Sequence, residues 1–319
     1  MNENTPTTAR YAEVDAESDG QRLDNFLIGS LKGVPRSHVY RLVRSGQVRV
    51  NSRRVGPGYR ISAGDRIRIP PVRQAAGVTP RHDASDFGWL AERIVWENER
   101  LLVLDKPAGL AVHGGSGISA GCIEMLRVLR PQERGLELVH RLDRETSGCL
   151  LVAKRRSMLR SLHEMLRERG MNKFYLALAA GSWPKRLGRV DHGLSRQRSG
   201  AAVRVKVDEA GKHSVTHFRV LTRFGNFATL VGAQIETGRT HQIRVHAAAA
   251  GHPLAGDERY GSQRFTEALA GIGLKRMFLH AATVSFEWPQ SGDPFGVSVP
   301  LPEELQRVLR KLAGRYAAG

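Results

Sequence analysis

Residues 140–148, HRLDRETSG, set two carboxylates, Asp143 and Glu145, among His140, Arg141 and Arg144, and close on Gly148 before the apolar run CLLVAK. A carboxylate acts as a nucleophile or base only while ionised, and in a partly closed pocket a nearby cation keeps it so. Asp143 has an arginine close on either side in the chain, and the glycine and strand-like run that follow would fix the turn to a sheet edge, where reactive groups are commonly presented. Taken alone, the same nine residues also read as a salt-bridged turn.

A second basic stretch, ETGRTHQIRVHAAAAGHPLAGDERYG (236–261), carries the complementary charge. THQIRVHAAAAG predicts a helix starting at Thr240 as cap, with Arg239, His241, Arg244 and His246 at or near its first turns. A helix N-terminus with arginines suits a phosphate, or holds a carboxylate ionised. His241 and His246 are five residues apart rather than four and lack an accompanying acidic cluster, so structural hydrogen bonds outrank metal ligation. A nucleophile-elbow serine, a phosphate-binding loop ending in Lys-Ser/Thr, a dinucleotide fingerprint and HExxH are missing from the sequence, and HGGSG (113–117) reads as a loop. No metal and no cofactor are expected.

The surrounding chain has 319 residues, 41% hydrophobic and 25% charged, with a net charge of +18. Such a field attracts polyanions, which puts nucleic acid first among partners and an anionic membrane surface second. Apolar runs are too short to span a bilayer and residues 1–20 have no apolar signal core, so a cytosolic protein is expected, without an evident obligate protein partner. Cys122 and Cys149 are unaccompanied by any Cys-x-x-Cys pair and read as small core residues.

Residues 1–20 carry a net charge of −4 and read as a disordered leader, whereas 21–70 hold eleven basic residues against Asp24 and Asp65. Within that block Leu23, Phe26, Leu27 and Leu31 are spaced for a helix. PRSHVYRLVRSG predicts a second helix, capped by Ser37 and stopped at Gly46, with Val39, Leu42 and Val43 inward. Arg36, Arg41 and Arg44 fall on its other side, with His38, and QVRVNSRRV, YRI and DRIRI alternate like short strands. Residues 73–88 read as a linker. From Trp89 a mixed α/β pattern begins. It includes a helix over 157–170 capped by Ser157, strands over 173–181, 228–236 and 281–289, and a closing amphipathic helix over 302–314.

RLDNFL, SHVYRLVRSGQVRVN and GDRIRI resemble the αL-type RNA-binding module, placing a small α/β domain at 21–72. HRLDRETSG, GRTHQIRVH with AGHPLAGDERYG, DKPAGLAVH and NKFYLAL are similar, in order, to the motifs of the RluA family of pseudouridine synthases. That resemblance implies an α+β catalytic domain at 89–319 with a mixed, mainly antiparallel sheet and a central cleft. It also implies isomerisation of uridine to pseudouridine in RNA, with large-subunit ribosomal RNA favoured by the nearest subfamily. By position, Asp143 matches the catalytic aspartate, Tyr175 the active-site tyrosine and Arg244 the basic partner of the aspartate, while Arg141 would help displace the target base. His140, Arg239 and His241, with Arg36, Arg41 and Arg44, are the expected RNA contacts. Where the family often has Asp, this chain has Glu145.

The reaction breaks a carbon–nitrogen glycosidic bond, turns the uracil and rejoins it through carbon 5, gaining no atom, so it calls for neither metal nor cofactor. The carboxylate would attack the anomeric carbon, attack the base or remove a sugar proton, after the uridine has left its stack. Tyr175 would stack on the base and take part in proton transfer. Three alternatives remain at this level: an RNA N-glycosidase using Asp143 and Glu145, a synthase acting on tRNA, and a catalytically silent ribosomal RNA-binding assembly factor.

Overall fold

The computed structural model describes residues 8–31, 34–72, 83–114, 118–199 and 202–316, and the chain divides into two compact units, Met1–His82 and Asp83–Gly319. In the first, helices α1 (Leu23–Ser30) and α2 (Arg36–Arg44) share one core with an antiparallel sheet of β1 (Arg10–Glu13), β2 (Arg49–Val50) and β3 (Arg66–Ile69) in the order β1-β3-β2. Leu23, Leu27, Val39, Leu42 and Val43 are buried with Val50, Ile67 and Ile69. Arg36, Arg41 and Arg44 stay exposed.

Two expectations change here. The leader is not disordered throughout: Arg10–Glu13 pair with Ile69–Arg66, Val14 is buried, and the Asp15 side chain accepts from the Ser18 N–H. Its apolar residues are too few to mark a strand until the exposed edge of β3 supplies a partner. Residues 1–7 lie outside the described residues. The cap position of α2 is Pro35, whose fixed φ of −56° pre-sets the helix entry, and Ser37 lies inside the helix.

Residues 73–82 of the expected linker lie outside the described residues, and 83–88 already belong to the second unit. There the Asp83 carboxylate accepts from the Ser85 N–H, the Asp86 carboxylate accepts from the Asp83 N–H, and Phe87 is buried. Two elements follow, α3 (Gly88–Ala91) and β4 (Ile94–Glu97). The site depends on β5 (Leu101–Lys106), α4 (Cys122–Leu129), β6 (Glu137–Leu138), β7 (Ser147–Ala153), α5 (Arg156–Glu168), β8 (Met171–Ala180) and β9 (Arg189–Asp191). They are followed by β10 (Leu194–Ser199), β11 (Ala202–Val207), β12 (Val215–Phe224), β13 (Ala228–Ile235), α6 (Gln242–Ala249), α7 (Gln263–Ala270), β14 (Leu279–Glu287), β15 (Pro294–Ser298) and α8 (Glu303–Tyr316). Ten strands form one sheet running β4-β5-β7-β14-β8-β13-β12-β9, with β6 beside β7 and β15 beside β14, while β10 and β11 make a separate hairpin. Pairing is antiparallel except between β7 and β14, giving the mixed, mainly antiparallel sheet expected.

That parallel contact is short. His280 and Ala281 of β14 pair with Ser147 and Gly148, and the far side of Ala281 pairs with Tyr175 of β8. Gly148 has φ +108°, and a Cβ there would stand 2.1 Å from the Ala281 carbonyl oxygen. Only glycine lets β7 approach β14 this closely, and the loop carrying Asp143 ends at that point.

Helix ends differ from expectation in two further places. Helix α5 has Arg155 rather than Ser157 at its cap position, and its left-handed residue is Arg169, at φ 62°, with Gly170 after it. Helix α6 has His241 at its cap position with φ 54°, so the cap is not Thr240. Long-range bonds fix this entry: Gln242 Nε2 donates to the Val215 carbonyl and the Thr216 hydroxyl, and Gln242 Oε1 accepts from Thr237 Oγ1 and the Arg239 N–H.

One turn later His246, fully buried, extends the same network. The Ser214 hydroxyl donates to the His192 carbonyl and so accepts from His246 Nε2 at 3.0 Å, while His246 Nδ1 accepts from Thr216 Oγ1 at 2.9 Å. This pattern needs a neutral imidazole. Burial, with the nearby His192, pushes its pKa down to about 4. Between about pH 4 and the ordinary histidine value the unfolded chain binds the extra proton, so stability falls as pH drops through that window. Urea denaturation should show a loss of about 1.4 kcal/mol per pH unit from this group below pH ~6.5, and His246→Gln should flatten the dependence. An unchanged slope in the variant would refute the assignment.

Candidate active site

The loop bearing Asp143 is held from below by Lys106. Its side chain is fully buried, and Nζ donates to the carbonyls of Pro107 and Leu110, each at 2.8 Å, and of Arg144, at 3.0 Å. Burial pushes its pKa down to about 8. The Gly109 N–H also donates to the Arg144 carbonyl, the Arg144 Nε donates back to the Gly109 carbonyl, and the Thr146 N–H closes the turn on the Asp143 carbonyl. The motif DKPAG thus immobilises the backbone on which Asp143 stands.

Arg244 reaches Asp143 from the first turn of α6, its Nη1 donating to Oδ2 at 2.9 Å. Its Nε and Nη2 donate to the two oxygens of Asp257 at 2.7 and 2.8 Å, a fork-to-fork pair. Burial opposes the guanidinium charge, but the hydrogen bonds and charge of Asp257, with Asp143 adding, hold its pKa above the ordinary arginine value. Asp257 is buried, which would raise its pKa, yet Arg244 and the N–H groups of Arg259 and Tyr260 keep it below the usual carboxylate range. Asp143 retains 23% side-chain exposure, so the ion triad has a dry end at Asp257 and an open end at Asp143.

Tyr175 and Lys173 share one face of β8 and line the same cavity of about 510 Å³ as Asp143, with Ile235, Leu279, His241 and Arg244. Tyr175 is 6% exposed; burial, then the charge of Asp143, push its pKa above the ordinary phenol value, leaving it a proton-bearing donor. Burial pushes Lys173 down to about 8.

The remaining expected residues divide by position. Arg141 is exposed and lines the cavity, as does exposed Arg239, whose N–H closes onto Gln242. His140 also lines it, but its Nε2 accepts from the Leu151 N–H, and burial pushes its pKa down to about 3, so it braces the loop against β7 as a neutral ring. His241 Nε2 stands 3.9 Å from Asp143 Oδ2. Arg36, Arg41 and Arg44 belong to the N-terminal unit. Glu145 is exposed and makes a loose 3.5 Å pair with Arg144. Cys122 and Cys149 are buried free thiols that burial pushes up to about 11 and 12. Among the described residues no His, Cys, Asp and Glu side chains cluster as a metal site would need.

Sequence reasoning left Asp257, Tyr260, Lys106 and Lys173 without roles. The signal for Asp257 was an acid thirteen residues beyond Arg244 in a basic stretch, bracketed by Gly256 and Gly261. A Cβ at Gly261 would stand 2.1 Å from the Asp257 carbonyl oxygen, and Gly256 has φ +69°.

An ion-paired aspartate and a buried tyrosine thus meet in one cleft of a mixed sheet. Residues 100–249 match the RNA pseudouridylate synthase family and residues 21–67 the S4 domain, the αL-type module. The chain is 51% identical over 98% of its length to ribosomal large subunit pseudouridine synthase C of Escherichia coli strain K12, covering 99% of that protein. It is 48% identical to the protein of the same name from Pasteurella multocida, over 94% of this chain and 92% of that one. Among solved structures, human RNA pseudouridylate synthase domain containing 4 superposes with a TM-score of 0.59 at 25% identity, over 72% of this chain and 96% of that one. The chain belongs to the RluA family of pseudouridine synthases.

Asp257→Asn removes the charge that Arg244 is built around. The variant should lose about 3–5 kcal/mol of folding stability, as when one member of a buried pair is deleted. Its single-turnover rate of pseudouridine formation should fall about 100-fold as Arg244 loses its aim. Chemical denaturation and rapid-quench assays measure both; a wild-type rate would show that Asp257 does not position the site.

Proposed function

We propose that this chain converts specific uridines of large-subunit ribosomal RNA to pseudouridine, with Asp143 as the catalytic group. The supporting observation is the single N–H bond from Arg244 to Asp143 in the cavity that Tyr175 lines. Arg244 orients the carboxylate, so that its free oxygen meets the sugar or the base of a displaced uridine. Tyr175, kept protonated, supports the base through its ring and offers a hydrogen bond rather than acting as a base. Arg141, at the exposed side of the cavity, faces the position vacated by the uridine or its neighbours.

The charge of the N-terminal unit supplies RNA affinity through phosphates, which offsets the cost of unstacking. The names of the full-length relatives support ribosomal RNA over tRNA as the substrate, and a ribosomal RNA substrate favours a cytoplasmic enzyme. No helix among the described residues is long and apolar enough to cross a membrane.

Asp143→Asn should leave target uridines unmodified when total RNA from a complemented deletion strain is mapped for pseudouridine, while binding of the target transcript persists. Modification of the same sites by the variant would overturn the assignment, and modified tRNA in place of ribosomal RNA would redirect the substrate. Replacing Arg36, Arg41 and Arg44 by Ala should weaken RNA binding and reduce the slope of log Kd against log salt by about 2–3. An unaltered slope would remove this face from the phosphate contacts.

A further inference from the structure

His241 occupies an unusual position. Its φ of 54° is a left-handed conformation that residues with a Cβ rarely adopt, at the entry to the helix that carries Arg244. Strain of this kind concentrates where a side chain must be aimed. Its Nδ1 lies 2.9 Å from the Tyr260 hydroxyl, which also accepts from the Val205 N–H at 2.9 Å. With one lone pair engaged there, the hydroxyl still has its own proton to give to His241 Nδ1. Burial holds His241 below its ordinary pKa, with Asp143 opposing and Arg244 assisting, so the ring is neutral and has one N–H to place on either nitrogen. Nε2 is the nitrogen facing Asp143.

We propose that Tyr260 is a positioning residue for this reaction, whose hydroxyl fixes His241 as the Nε2–H tautomer and thereby aims an N–H donor at the space beside Asp143. The acceptor is an oxygen of the displaced nucleotide, a ribose hydroxyl or a uracil carbonyl, since 3.9 Å is too long for a direct bond to the carboxylate yet leaves the donor at its edge. This rests on the reading of Asp143 as the catalytic group.

The same residue ties the donor to the basic hairpin. Val205 of β11 supplies the N–H that orients the hydroxyl, and Arg204 of that strand lies 5.9 Å from the Tyr260 ring centroid. Arg196 of β10 bonds the hydroxyl of Thr240, the residue preceding His241. The hairpin therefore touches both flanks of His241, and its seating sets the direction of the N–H. Tyr260 owes its own place to Asp257, which accepts its backbone N–H, and its ring packs 5.1 Å from the Arg244 guanidinium.

Tyr260→Phe keeps the ring and removes only the hydroxyl. In nitrogen-15 spectra of the full chain, with His241→Leu assigning the resonance, wild type should show His241 as Nε2–H, and Tyr260→Phe should show a mixture or the Nδ1–H form. Turnover on the ribosomal RNA transcript should fall about tenfold in kcat with KM unchanged, and Tyr260→Phe combined with His241→Leu should be no slower than His241→Leu alone. An Nε2–H tautomer that persists in Tyr260→Phe, or losses that simply add in the double variant, would overturn the proposal. If wild type forms no pseudouridine, the functional reading fails by itself, while the tautomer comparison still decides whether Tyr260 positions His241.

Discussion

Arg244 is the group on which the rest of the site depends, because two of its N–H groups are committed to Asp257 and a third bonds Asp143. A guanidinium facing a lone carboxylate tends toward a two-bond fork that occupies both oxygens. Here the fork is spent on the buried aspartate, so Asp143 receives one oriented bond on Oδ2 and its other oxygen stays outside the pair. Burying Arg244 costs desolvation, which Asp257 offsets with both charge and geometry. The triad carries a net negative charge located at its exposed end, where a reaction at a sugar or base can use it.

Close approach of backbone places two members of the site. Gly148 lets the end of the Asp143 loop lie against β14, and Tyr175 flanks the same Ala281 from the other side, so two reactive side chains from distant parts of the chain meet at one level of the sheet. Lys106 adds the third constraint by gathering carbonyls of its own corner and of Arg144. A buried lysine serving carbonyls gains no ion pair, and its depressed pKa reflects that burial. Its return is rigidity at the residue next to Asp143.

What could be read from the sequence followed from local periodicity. The helices over 23–30, 36–44 and 156–168 and the strands containing Tyr175 and Ile235 were visible because their apolar spacing is dense and their partners need not be known. The strand Arg10–Glu13 was not, since its pairing partner is more than fifty residues away and its own composition is polar. Cap positions failed for a related reason. Ser157 and Thr240 have the right chemistry, but Arg155 and His241 take those positions because tertiary bonds, such as those of Gln242 and His246, override the local preference. Asp143 was legible because flanking arginines advertise an ionised carboxylate. Asp257 was hidden because its partner is satisfied entirely inside the fold.

The histidines show how the protein keeps that one anion free of competition. His140 accepts a backbone N–H, His246 bridges two hydroxyls, and His241 shares a hydrogen bond with the Tyr260 hydroxyl; burial holds each below the ordinary histidine pKa. A charged imidazolium at His241 would draw on Asp143 and repel Arg244 at short range. By keeping them neutral, the fold leaves Arg244 as the one cation bonded to Asp143 among the described residues. The exposed arginines, Arg141 and Arg239, stand at the rim, where water screens them from the carboxylate. The division between histidines held neutral and a cationic rim leaves Asp143 bonded to one guanidinium, among the described residues, inside a protein of strongly positive charge.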